Sequence, residues 1–182
     1  MSRIPLADID QQPEPIRDFL ARRGALNVFR VLANAPDVFA GWTQLVDELF
    51  DSPTFTLRIR EVIILRVARL QDCRYEVSQH IGIARGVGLT EAQISAIVET
   101  EDFDTAGFTD NERVLLDVVT ELCSTHRLSD QSFAAGHTML GDEAFTELLM
   151  LVSCYYGLAL VLNAVDVEPD TDIGLRPAGD AR

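Results

Sequence analysis

Glu61, Cys73, Glu76 and His80 have the types and spacing that proton-transfer chemistry needs. A histidine titrates near neutrality and can take or give a proton, and a carboxylate on one ring nitrogen sets its tautomer and favours the charged form. On a helix that advances about 100° per residue, Glu76 falls about 60° and His80 about 20° behind Cys73. The three share one stripe, while Tyr75, Val77 and Gln79 point elsewhere on that count. Glu61 belongs to the preceding helix, and an antiparallel pair would return it to His80. The Cys73 thiol becomes a thiolate only beside a charged His80 or a helix N-terminus. Each residue also has a plainer structural reading. A Glu/His pair at helical spacing is commonly an ordinary hydrogen bond, and a lone cysteine is commonly a small buried hydrophobe.

Helices must position this group. Gly24 closes a short helix over 14–23, 27–34 adds a turn or two, and Pro36 opens a helix running to about Phe50, its missing N–H being an orphan there anyway. Ser52-Pro53 breaks the chain. Leu57–Leu70 contains the strand-like run Val62-Ile63-Ile64-Leu65, but its length and recurring arginines favour a buried helix. A further helix runs from near Asp72 to the Gly86/Gly88 pair, where glycine accepts the left-handed cap. Thr90 with Gln93 and Thr109 with Glu112 are capping boxes, opening helices at 91–100 and 110–126. The last helices fit 130–139 and 142–165. No stretch alternates like a strand, so the fold class is all-α. A faint echo relates Glu61-Val-Ile-Ile-Leu to Glu112-Arg-Val-Leu-Leu, and Gly88-Leu-Thr-Glu-Ala to Gly141-Asp-Glu-Ala. A duplicated helical unit and a chance likeness of two amphipathic helices both fit it.

Composition narrows the function. The 182 residues fit one compact domain, and 47% are apolar. With 15 basic against 29 acidic residues the net charge is −14, a field that repels nucleic acid and anionic membranes. The odd, scattered Cys73, Cys123 and Cys154 have no disulfide or zinc spacing, and with no leader sequence evident a cytoplasmic location is expected. The apolar stretch 147–167, interrupted by Gly157, reads as a core helix rather than a membrane span. No metal is expected, because zinc would want a clearer ligand spacing. No cofactor is expected either, since Gly86 and Gly88 follow a helix instead of opening one after a strand. His126 and His137 read as structural. Trp42, with Phe39 and Phe50, is core or pocket wall. Arg58 and Arg66 are candidates to bind a substrate carboxylate, and Tyr75 to line a subunit interface.

The runs Leu57-Arg-Ile-Arg-Glu61-Val-Ile-Ile-Leu-Arg-Val-Ala, Cys73-Arg-Tyr-Glu76-Val-Ser-Gln-His80 and Ile81-Gly-Ile-Ala-Arg-Gly-Val-Gly88 closely resemble the carboxymuconolactone decarboxylase-like family, which includes the alkylhydroperoxidase D-type enzymes. Asn27–Pro36, Phe108–Glu112 and Tyr155–Asn163 also resemble it. The resemblance implies an alkylhydroperoxidase D-like helical bundle over about 25–167, with a lead-in and short helix over 1–24 and a flexible tail over 168–182. It implies a homo-oligomer, a trimer or a multiple of trimers, acting on a small molecule. The peroxidase branch carries a glutamate, then Cys-x-x-Cys, then a histidine four residues on. Glu61, Cys73 and His80 match that pattern, but Glu76 takes the second cysteine's place, so no local disulfide can close.

The Tyr-Glu-x-x-x-His arrangement instead resembles the decarboxylase-type branch. The expected function is acid/base chemistry on a small carboxylated lactone or keto acid, with His80 as general acid/base, Glu61 orienting it, Glu76 assisting and Cys73 lining the pocket. Val77 stands where that branch often carries tryptophan. The alternatives are a thiol-dependent peroxidase acting through Cys73 and a non-catalytic oligomeric scaffold.

Overall fold

The computed structural model describes residues 2–170. It contains helices α1 (Glu14–Arg23), α2 (Asn27–Leu32), α3 (Pro36–Asp51), α4 (Leu57–Leu70), α5 (Arg74–Gly86), α6 (Glu91–Ser95), α7 (Asp110–Thr125) and α8 (Asp130–Val165), with no strand among the described residues. The expected stretch 91–100 is helical, but its second half, Ala96–Thr100, widens into a π-helical turn closed by Glu101 in the left-handed region. Both capping boxes form: Thr90 and Gln93 open α6, and Thr109 and Glu112 open α7.

Helix α4 is the axis of the fold. Thr56 caps it, accepting from the Ile59 amide, and every residue from Arg60 to Ala68 is buried. A helix buried on all sides shows no amphipathic stripe, which is why Val62–Leu65 looks strand-like in sequence. Ile63, Ile64 and Val67 face the larger core, shared with α5, α7 and α8. Val62 and Leu65 face a second core with Ala84, Ile94, Ile97 and Leu116.

At the end of α4, Asp72 adopts φ 50° and the Cys73 amide returns 2.9 Å to the Ala68 carbonyl. This Schellman-type closure reverses the chain within three residues, Gln71 to Cys73, and sets α5 antiparallel to α4. At about 1.5 Å per residue, Glu61 lies about 13 Å before the end of α4 and His80 about 9 Å into α5, nearly in register across the hairpin.

The N-terminal lead-in and α1–α3 share a third core built on Ile16, Phe19, Leu20, Ala33 and Phe39. Ring contacts of Phe19 with Phe29 at 5.0 Å and with Phe39 at 5.6 Å tie the three helices together. Tyr75 is not an interface residue on this chain. It is buried, receives the Val28 amide at 3.2 Å and donates to Asp170. Asp170 also accepts from the Asn27 amide at 3.1 Å, so the first residues of the expected flexible tail are anchored. The rest of that tail, 171–182, lies outside the described residues.

The two helices expected at 130–139 and 142–165 run together as α8 without a loop, broken only at Gly141 with φ 73° and ψ 178°. That backbone region is essentially restricted to glycine. Gly141→Ala is therefore expected to cost about 2 kcal/mol of stability, read as a lower urea midpoint with an unchanged slope. Gly88, its partner in the sequence echo, also has positive φ. By length and composition α8 is apolar enough to cross a membrane. Here Leu148, Leu151, Val152, Leu158, Ala159 and Leu162 face the core.

Candidate active site

The α4–α5 hairpin brings Glu61 and His80 together as the spacing predicted. His80 Nδ1 lies 2.8 Å from Glu61 Oε2, inside the protein. One turn earlier on α5, Glu76 presents Oε2 at 3.2 Å from His80 Nε2. That contact is an ion pair whose direction is off the line of a hydrogen bond, and Glu76 Oε2 has no hydrogen-bond partner. Relative exposures of 2% for Glu61, 3% for Glu76 and 8% for His80 put the whole group out of bulk water. Burial acts to lower the His80 pKa, but Glu61 and Glu76 outweigh it and hold the imidazole well above its usual range. His80 is therefore an imidazolium between two carboxylates at neutral pH, a stored proton with an acceptor on each side.

Cys73 is placed differently from the helical count. It is the N-cap of α5, with extended backbone, and so lies before the stripe formed by Glu76 and His80. Its thiol is fully buried, and that burial pushes its pKa up to about 11, against the pull of the neighbouring Glu76 and Tyr75 backbone amides. Cys154 is likewise pushed up to about 11, by burial first and then by the nearby Glu76 charge. Neither sulfur is a thiolate at neutral pH.

Two of the three expected substrate-binding residues are held by partners elsewhere in the chain. Arg58 holds Glu112 at 3.0 Å, the Gly88 carbonyl at 2.7 Å and Gln93 at 3.1 Å, stitching α4 to the starts of α6 and α7. Arg66 is fully buried, bonding Thr120 at 2.8 Å and Glu101 at 3.0 Å, with the Ile97 carbonyl at 3.3 Å. Among the described residues neither arginine bonds to Glu61, Glu76 or His80. Glu112, the echo's counterpart of Glu61, likewise faces Arg58 and its own capping threonine rather than a histidine. Trp42 is half-buried and its indole faces the Cys154 thiol, which puts it against the wall that carries Tyr155.

Three residues beside the site escaped the sequence reading. Tyr155 of α8 meets the His80 ring edge-on at 5.5 Å, and both carboxylates of the site, with burial, hold its phenol protonated. Gln79 is buried, one turn after Glu76, and its Nε2 has no acceptor. Arg60 is buried and donates to the Phe50 and Ser52 carbonyls, with Glu147, Asp51 and Glu61 around it. A charged residue inside the most apolar part of α4 was the available signal for Arg60, and the i, i+3 spacing from Glu76 was the signal for Gln79.

Helices packed on the central α4 around a buried carboxylate–histidine–carboxylate group define a protein of the alkylhydroperoxidase D-like fold. Residues 36–121, which contain all four candidate residues, match the model of the Carboxymuconolactone decarboxylase family. The alkylhydroperoxidase AhpD core structure, an uncharacterized peroxidase-related protein from Ralstonia eutropha JMP134, is similar at TM-score 0.81 and 21% identity over 93% of each chain. An uncharacterized peroxidase-related protein from Silicibacter sp. TM1040 is similar at 0.78 and 16% identity, over 93% of this chain and 92% of that one. A variant of the debrominase Bmp8, in complex with 2,3,4-tribromopyrrole, is similar at 0.77 and 17% identity, over 93% and 91%. At these identities the likeness is one of fold. No curated protein matches the sequence.

Proposed function

We propose that this chain is an enzyme of acid/base proton transfer, moving a proton to or from a small molecule at the Glu61–His80–Glu76 group. The observation that carries the reading is His80 held charged between two carboxylates, only one of which makes a hydrogen bond to it. Glu61 fixes the ring and its charge, as the buried carboxylate of a catalytic triad does. His80 stores the proton, and the open Glu76 oxygen exchanges it with the substrate. Proton transfer at a carbon next to a carbonyl fits this, since the electron density formed there must be protonated. The resemblance implied a carboxylated substrate, with Arg58 and Arg66 as candidates to bind its carboxylate. Both are engaged elsewhere, so proton transfer is carried forward without the carboxylated substrate or its decarboxylation.

The test is deuterium uptake in D2O from a panel of lactones, ketones and keto acids, followed by NMR. Wild type is expected to exchange at least one of them, and Cys73→Ser is expected to retain that activity. Multiple turnovers of an organic hydroperoxide with an external dithiol, lost only in Cys73→Ser, would instead establish thiol peroxidase chemistry. The buried, protonated Cys73 and the absence of a second cysteine in its motif argue for no turnover.

A homo-oligomer belongs to the same proposal. Met150, Leu160 and Val161 leave an exposed apolar strip on α8, which a second copy of the chain would cover. Leu160→Asp with Val161→Asp is expected to lower the mass seen by light scattering. An unchanged mass would move the interface elsewhere.

A further inference from the structure

Resting on the proton-transfer reading of the same site, we infer that its ligand is a neutral small molecule carrying both a hydrogen-bond donor and an acceptor, and that carboxylates and phosphates are excluded. The first argument is charge. Glu61 and Glu76 place two carboxylates against the single imidazolium of His80, all of them buried. The surrounding cations face partners of their own. Arg60 donates to two carbonyls and lies among Glu147, Asp51 and Glu61, with its Nε left without a partner, while Arg23 is paired with Asp47 at 2.7 Å. Arg58 and Arg66 are engaged away from the site. An anion entering here would meet surplus negative charge in a low-dielectric place, where like-charge repulsion is strongest, and Arg60, the other buried cation beside Glu61, already faces three carboxylates.

The second argument is the set of polar atoms left without partners. Glu76 Oε2 is a buried acceptor with no donor, and Gln79 Nε2 is a buried donor with no acceptor, one turn along the same side of α5. Tyr155, edge-on to His80, makes no hydrogen bond through its hydroxyl among the described residues. Buried polar groups are ordinarily satisfied, so an unpartnered acceptor and an unpartnered donor on one side of α5, with the Tyr155 ring beside His80, match a ligand with the complementary pair. An amide, a neutral lactone with a hydroxyl, or an N–H heterocycle has that pair, and each is uncharged. Tyr155 would donate to the ligand's acceptor, while Glu76 takes its proton.

The experiment uses matched neutral and anionic probes: benzamide with benzoate, cyclohexanecarboxamide with cyclohexanecarboxylate, and butyramide with butyrate. Binding to the full chain is read from the His80 ring resonance in NMR, assigned by its loss in His80→Gln. At least one amide is expected to shift that resonance, with its carboxylate partner binding more than tenfold weaker. Tyr155→Phe is expected to weaken the amide about tenfold, and Glu76→Gln to admit the carboxylate. A carboxylate that binds wild type as well as its amide, or the absence of any amide binding, overturns the inference. Binding is read without turnover, so the two readings fail separately. Amide binding with no deuterium exchange in any compound sinks only the proton-transfer reading. His80-dependent exchange into anionic keto acids sinks only the neutral ligand.

Discussion

His80→Gln is expected to lower the rate of proton transfer by about 10²- to 10⁴-fold, the usual contribution of a positioned acid/base group, while leaving the α4–α5 hairpin folded. Glutamine keeps a polar group near Glu61 but cannot carry the proton that the imidazole stores between its two carboxylates. The measurement is the initial rate of deuterium uptake for whichever compound wild type exchanges, with circular dichroism confirming the helical content. The pH profile adds a readout that a structural role would not move. Because Glu61 and Glu76 raise the His80 pKa, the charged form persists through neutral pH and is lost only on the alkaline side. The wild-type profile should fall there, and His80→Gln should lack that limb. Full activity in His80→Gln would reject the assignment.

Glu61→Ala is expected to be the most destabilising change at the site, at about 3 kcal/mol near pH 7. It removes the closer partner of a buried cation and leaves a cavity beside it. Glu76 remains at 3.2 Å, which keeps the cost at the low end for a broken buried pair. The pH dependence has a defined sign. A folded-state pKa above the unfolded value of about 6.5 means the native state binds more protons above that pH. The pair's contribution is therefore complete below about pH 6.5 and declines as pH rises through the raised folded value. Urea midpoints measured across that window should fall for wild type, and much less for Glu61→Ala. Parallel curves for the two proteins would mean that Glu61 does not hold the charge on His80.

The helices themselves were legible because their signals are local. Gly24, Pro36, the Ser52-Pro53 break and the two capping boxes act through neighbouring backbone groups, so the sequence carries them directly. The facing of Glu61 and His80 was legible for a related reason: a three-residue reversal leaves an antiparallel hairpin little choice of register. Cys73 was misplaced because a helical count assumes the residue is inside the helix, and as N-cap it stands outside.

What tertiary structure decided is which polar groups were free. Arg58, Arg60 and Arg66 look alike along α4, yet each was assigned by a partner far away in the chain. A π-helical turn brings the Ile97 carbonyl and Glu101 onto Arg66, and no local pattern announces that. Tyr155 and Gln79 became neighbours of the site only through packing across helices and burial from water. Charge, burial and hydrogen-bond satisfaction are properties of a surrounding volume, not of a stretch of chain. The sequence by itself therefore determined the all-helical fold and the Glu61–His80–Glu76 group, and the tertiary structure determined the electrostatic environment in which that group works.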